Sequence, residues 1–268
     1  MPKEGTLPQK VEKVKIVPII KPDKENSMEV TKFRPISLTN VAGKVMEKLL
    51  INRIMHFVYR NELLNRNQYG FTQQKSAIDA AIKVKEFLEE GLREGQMVTM
   101  VNLVVKGAFD SAWWPNITTL QNLKCPKNLY KLARSYFSER TAILSTNNIR
   151  IEKEVNKGCP QESCCGTAFW NIQFNAILNL DYEKQTKLVA CADDVILAVK
   201  AESTREAENL TNIEMGKVTR WAKNNKIKFN EKKSKVMLIT RRKRKENKGL
   251  VRYIYIYIYI YIYIYIYI

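Results

Sequence analysis

The chain has one histidine, His56, and five cysteines, Cys125, Cys159, Cys164, Cys165 and Cys191. The cysteines are odd in number, and no C-x-x-C pair or histidine–cysteine cluster has zinc spacing. Free thiols in a reducing compartment are therefore expected, not a disulfide scaffold. No uncharged apolar run of membrane-spanning length precedes residue 250, and the opening MPKEGTLPQKVEKVK has no apolar secretory core. The expectation is an intracellular protein, in the nucleus, the cytoplasm or both, without a membrane partner. Acid is scarce as well: 27 acidic residues stand against 45 basic ones, for a net charge of +18. That balance implies a polyanionic partner, a basic tail, or both.

Apolar residues make up 45% of the 268, enough for one large core or two small ones. VEKVKIVPII at 11–20 reads as a strand. A helix is expected after Asn40, with Val41, Val45, Leu49 and Phe57 near helical spacing. Ser76 and Asp79 have the form of a capping box at the start of a second helix. GQMVTMVNLVV reads as a buried strand. CPKNLYKLARSYFSER is predicted helical with Pro126 at its first position, and TAILST-NN-IRIEKEV predicts a hairpin turning at Asn147–Asn148. An apolar helix, GTAFWNIQFNAILNL, precedes KLVACADDVILAVK, which reads as a hairpin or bent strand turning at two acids. Ser203 and Glu206 cap a further helix with Ala207, Leu210, Val218 and Trp221 on one face, and KVMLITR closes with a strand. The pattern is α+β, compatible with a split βαβ sheet. Residues 253–268 are eight perfect Tyr-Ile dipeptides; they permit a strand with one residue type per face, but they read better as a translated simple repeat.

Asp193 and Asp194 are flanked by Val189, Val195, Ile196 and Leu197. Burying a carboxylate there is costly unless it is paired or holds a cation. Adjacent acids at a strand turn suit Mg²⁺, which takes carboxylate oxygens and keeps waters or substrate phosphates as its other ligands. Taken alone, ADD is more often a solvated turn than a metal site. Its company is more specific. FRPISLTNVAGKVMEKLLINRI, NQYGFTQQKSAIDAA, KGAFDSAWWP and KGCPQESCCGTAFWNI precede it in that order. Together these motifs resemble the reverse transcriptase domain of non-LTR, LINE-type retrotransposons, with the AFDSAWW and GCPQ.S wording similar to arthropod elements. The resemblance runs over roughly residues 10–245.

It implies a right-hand polymerase with fingers at about 10–95, a palm with a split βαβ sheet at about 96–245, no thumb, and a linker with the Tyr-Ile repeat at 246–268. The implied reaction is RNA-directed DNA synthesis by two-metal nucleotidyl transfer with Mg²⁺, acting on an RNA template, a DNA primer and a dNTP. By residue, Lys21 of IKPDK and Arg34 of FRPIS match positions that grip the triphosphate, as a point charge and a planar fork suit phosphate. Phe109 matches the bulky side chain that excludes a ribose 2′-hydroxyl; on its own it reads as core. Gln161 matches the Pro-Gln loop residue at the nucleotide sugar. Asp193 and Asp194 match the catalytic, metal-binding acids. Lys233, with Lys232 one position away, matches a lysine near the triphosphate. Asp110 belongs to the motif without being a ligand.

Four positions depart from the pattern. Where the family has L-D-I-x-x-A-F-D, this chain has Leu103-Val104-Val105-Lys106-Gly107-Ala108-Phe109-Asp110, so the ligand shared by both metals is Val104. Losing that carboxylate implies a loss of more than ~10³ in rate. Asn102 shares the strand parity of position 104 but is neutral and about 7 Å away. Glu162 stands for the Gly of P-Q-G-S, where backbone approaches the nucleotide. Cys191 replaces an aromatic residue before Ala-Asp-Asp, and Asp23 replaces a loop glycine. The expectation is an impaired, truncated reverse transcriptase copy. The alternatives are a non-catalytic nucleic-acid-binding remnant, to which the run Arg241–Lys245 would also contribute, or a functionless genomic relic.

Overall fold

The computed structural model describes residues 13–20, 29, 32–112, 114, 118–138, 140–145, 149–159, 163 and 165–241. The chain divides into two compact units. One comprises 1–64 and 107–173, the other 65–106 and 174–268.

In the first unit, β1 (Lys13–Ile20) pairs antiparallel with β2 (Phe33–Leu38) and parallel with β4 (Thr141–Ser145), and β4 pairs antiparallel with β5 (Arg150–Glu154). The sheet order is β2-β1-β4-β5. The β4–β5 hairpin is the one expected, with Ser145 opposite Arg150; its Asn147–Asn148 turn lies outside the described residues. Helix α1 (Val41–Arg60) starts at Asn40, whose side chain accepts from the Gly43 amide at 2.6 Å. The helix is where the spacing predicts it, but it buries another face. Val41, Val45 and Leu49 are exposed, whereas Leu50, Ile51, Ile54 and Val58 are core. These four at i, i+1, i+4 and i+8 form the larger apolar stripe, and α5 (Lys127–Phe137) packs on α1. Pro126 is the N-cap of α5, one position before the first helical residue predicted for it. Two short helices, α3 (Ala108–Ser111) and α4 (Thr118–Asn122), also lie in this unit.

A buried polar knot sits beneath α1 and α5. Glu47 is 1% exposed, and its carboxylate accepts from the Tyr136 hydroxyl at 2.8 Å. Burial pushes the Tyr136 phenol well above its ordinary range. The Arg140 guanidinium covers the Tyr136 ring at 4.4 Å and donates to the Tyr136 carbonyl at 3.2 Å.

In the second unit the sheet order is β6-β7-β3-β8, with every neighbour antiparallel: β6 (Thr186–Cys191), β7 (Asp194–Ala201), β3 (Met97–Val104) and β8 (Lys235–Ile239). The central strands β3 and β7 are near-continuous apolar runs, as strands covered on both faces require. Helix α2 (Ala77–Arg93) covers one face through Ala80 and Val84 against Val189, with Met100, Cys191 and Ile196 around them. Helix α7 (Thr204–Asn224) brings Ala207 to Ala201 and Leu238. Both helices start as predicted. Ser76 and Asp79 form a complete capping box, and the Ser203 hydroxyl accepts from the Glu206 amide. The apolar helix α6 (Gly166–Leu178) belongs to the first unit up to Gln173 and to the second from Phe174, and Trp170, Phe174 and Ile177 on it are fully buried. No described helix is long and apolar enough to cross a membrane.

Candidate active site

The two acids sit at the end of the β6–β7 hairpin. The turn is one residue earlier than predicted: Cys191 pairs with Asp194, so Ala192 and Asp193 form the turn and Asp194 is the first residue of β7. Ala192 has φ of 57°, a left-handed conformation in which a residue with a Cβ is strained. Asn67, Gln68 and Tyr69 hold this hairpin from outside. The Tyr69 amide donates to the Ala190 carbonyl at 2.8 Å, and the Ala190 amide donates to the Asn67 carbonyl at 3.0 Å. Gly70 then passes so close that a Cβ on it would lie 1.9 Å from the Ala192 nitrogen. Motif NQYGF therefore shapes the turn that carries Asp193. Sequence reasoning gave Gly70 no role; the only signal was its place within a motif.

Register decides the rest. Val104 lies directly opposite Asp194 across β3 and β7. The Val105 amide donates to the Asp193 carbonyl at 3.1 Å, which makes Val104 and Asp194 a non-hydrogen-bonded pair, the closer kind in an antiparallel ladder. Their side chains share one face of the sheet, about 4.5–5.5 Å apart at Cβ. Asn102, two residues back, faces Ile196 instead. The loop before β8 closes on the same place. The Asn230 amide donates to the Val104 carbonyl at 2.7 Å, and the Ser234 hydroxyl accepts from the Val104 amide at 3.3 Å. This loop carries Lys233, whose amide donates to the Asn230 carbonyl at 3.1 Å.

The electrostatics follow from this packing. Burial raises the Asp194 carboxyl above its ordinary value, Asp193 raises it further, and the Lys233 ammonium opposes both. The Cys191 thiol is raised by burial first, then by Asp194 and Asp193. Of the two lysines, Lys233 is thus one whose charge reaches Asp194. The second unit brings together Val104, Asp193, Asp194 and Lys233.

The other sequence-selected residues divide between the first unit and the undescribed segments. Phe109 is half-buried on α3, its ring 6.3 Å from that of Trp170. Its carbonyl accepts from the Cys159 amide at 2.7 Å, and the Ala112 carbonyl accepts from the Gly158 amide at 2.7 Å. Those bonds anchor the chain just ahead of Pro160. Arg34 is exposed on β2, opposite Ile19. Lys21, Asp23, Gln161 and Glu162 lie outside the described residues, as do the side chain of Asp110 and the Tyr-Ile repeat.

Two adjacent carboxylates suit one hydrated Mg²⁺ completed by waters or phosphates. Position 104, across the ladder from Asp194, supplies only methyl groups. Among the described residues no group of three or more His, Cys, Asp or Glu is placed to hold a metal ion.

The family profile described as reverse transcriptase (RNA-dependent DNA polymerase) matches residues 19–254. The chain belongs to the reverse transcriptase family. Its retrotransposon relatives place it within the LINE-type branch. It is 30% identical over 200 residues to the 115 kDa protein of the type-1 retrotransposable element R1DM from Drosophila melanogaster, covering 74% of this chain and 19% of that protein. To the RNA-directed DNA polymerase from mobile element jockey, also of Drosophila melanogaster, it is 25% identical over 236 residues, covering 85% of this chain and 26% of the relative. To the Pol polyprotein of a type-1 R1 element from Bradysia coprophila it is 30% identical over 207 residues, with 77% and 20% covered. This reverse transcriptase domain therefore spans only about a fifth to a quarter of those relatives. Among solved structures, apo telomerase from Candida tropicalis truncated from the C-terminal domain superposes with TM-score 0.63 at 12% identity, covering 92% of this chain and 53% of that one. Telomerase from Candida albicans in complex with a TWJ fragment of telomeric RNA gives 0.58 at 14%, covering 92% and 45%. At such identities the likeness concerns the fold: a mixed α+β polymerase palm-and-fingers architecture.

Proposed function

We propose that this chain is the fingers and palm of a LINE-type RNA-directed DNA polymerase whose nucleotidyl transfer is impaired by Val104. The observation that carries this reading is the pairing of Val104 with Asp194 across β3 and β7. It puts the valine on the same face as the acid and within reach of a cation held there. The second unit supports assignment as a palm, with β3, the β6–β7 hairpin and the Lys233 loop converging at one end of an antiparallel sheet. β1 and β2, with Lys21 and Arg34, are read as fingers.

In this reading Asp193 and Asp194 hold Mg²⁺, which when bound polarises the phosphate under attack. Lys233 and Arg34 neutralise triphosphate charge, Phe109 flanks the sugar, and Gln161 contacts the nucleotide. Template RNA and primer DNA are the partners, and a net charge of +18 favours their phosphate backbones. With valine at 104, Asp193 and Asp194 would be the carboxylates left on this face to hold the cation, and a loss of more than ~10³ in rate would follow.

Primer extension on an RNA template in Mg²⁺ tests the proposal. The chain as it stands should give no extension, and the Val104→Asp, Glu162→Gly double variant should restore it. Robust extension by the parent chain would contradict the impairment. A silent double variant that still binds primer–template would contradict position 104 as the main lesion.

A further inference from the structure

A second feature is lined wholly by the first unit. A cavity of about 320 Å³ opens between β1, β2, β4, β5 and the segment 155–159. Its wall includes Arg140, which is 3% exposed. Arg140 spends Nη1 on the Tyr136 carbonyl and its flat face on the Tyr136 ring. Nη2 is buried and has no hydrogen-bond partner. A guanidinium keeps its charge at all accessible pH, so it cannot escape burial by neutralising. A buried charge with an unspent donor is costly unless an anion meets it.

The rest of the wall indicates which anion. Lys153 and Lys157 line the same cavity, and Glu154 is the one carboxylate among its lining residues. Three cations against one carboxylate match a dianion better than a monoanion, and a phosphate monoester carries nearly two charges at neutral pH. Trp114 also lines the cavity, its indole held by donation to the Gly158 carbonyl at 2.7 Å. A fixed aromatic ring and apolar strand residues such as Ile16 and Ala142 suit a flat apolar body next to the anion.

We propose that this cavity binds a phosphate monoester carried on a nucleoside, with the buried Arg140 guanidinium gripping the phosphate. Two sources share that chemistry: a free nucleotide and the 5′-phosphorylated end of a nucleic-acid strand.

Calorimetric titration of the full chain in EDTA separates this cavity from any metal-dependent nucleotide site. The probes are adenosine 5′-monophosphate, adenosine, and a short oligonucleotide with either a 5′-phosphate or a 5′-hydroxyl. At least one phosphorylated probe should bind ten-fold or more tightly than its unphosphorylated counterpart. Arg140→Gln should abolish that preference, and Lys153→Gln with Lys157→Gln should weaken it several-fold. Preference for the monophosphate marks a free nucleotide; preference only between the two strands marks a strand end. Equal binding of phosphorylated and unphosphorylated probes overturns the proposal, as does a phosphate preference that survives Arg140→Gln. If Arg140→Gln fails to fold, a preference unchanged in the double lysine variant overturns it.

Discussion

Val104→Asp should make the stability of the fold depend more strongly on Mg²⁺ than that of the parent does. The new carboxylate would face Asp194 at about 5 Å, in the closer kind of cross-strand pair. Partial desolvation and Asp193 already raise the Asp194 carboxyl above its ordinary value, so a third negative charge adds to the repulsion there. Two unit charges at ~5 Å repel by about 3 kcal/mol at an effective dielectric of 20, and by less than ~1 kcal/mol in water. Asp194 is exposed and Val104 half-buried, which places the cost between these limits, at about 1–2 kcal/mol. In EDTA the variant should melt roughly 2–8 °C below the parent, taking about 2–4 °C per kcal/mol for a domain of this size. Millimolar Mg²⁺ should recover most of that loss by neutralising the three acids, and it should move the parent far less. Thermal melts of both proteins with and without Mg²⁺ measure all four values. A variant that melts like the parent in EDTA, or that gains no more from Mg²⁺ than the parent does, refutes the cross-strand geometry behind the argument.

Three further outcomes are expected. Gly70→Ala forces a Cβ against the Ala192 backbone and should cost about 3 kcal/mol, with faster amide exchange at Ala192 and Asp193 than in a Gly95→Ala control, where a Cβ meets nothing within 4 Å although the φ of 75° adds its own strain. Tyr136→Phe deletes the hydroxyl that donates to Oε1 of the buried Glu47 carboxylate and should lower stability in urea by about 3 kcal/mol; a loss below ~0.5 kcal/mol would contradict the buried bond. The Ser76 hydroxyl and amide hold the Asp79 carboxyl below its ordinary value. That cap is therefore at full strength above the unfolded carboxylate range near 4 and is lost as pH falls through the lower folded value. Amide protection at the start of α2, measured relative to the intrinsic exchange rate at each pH, should fall below that range in the parent, and Ser76→Ala should flatten the response.

Local signals were legible in the sequence. The capping box at Ser76–Asp79, the Ser203 cap and the Asn40 helix start depend on residues within one turn, and all three stand. Which face of α1 is buried was not legible from Val41, Val45 and Leu49, because the stripe through Leu50, Ile54 and Val58 runs beside them at the same period. The turn of the acidic hairpin came out one residue early because the strand register, set by Cys191 against Asp194, is a long-range property. The parallel pairing of β1 with β4 joins residues more than a hundred positions apart and leaves no local trace. The acids and the valine stood out by motif, but their direct opposition is a fact of register. The closeness of Gly70 to Ala192 likewise became visible only in three dimensions.

The proposed loss of a metal ligand at Val104 can be measured by titration with Mn²⁺ followed by electron paramagnetic resonance. The account predicts that Val104→Asp binds Mn²⁺ at least ten-fold more tightly than the parent chain, and that adding Asp193→Asn removes the gain. Equally tight binding by the parent, or a gain that survives Asp193→Asn, would contradict it.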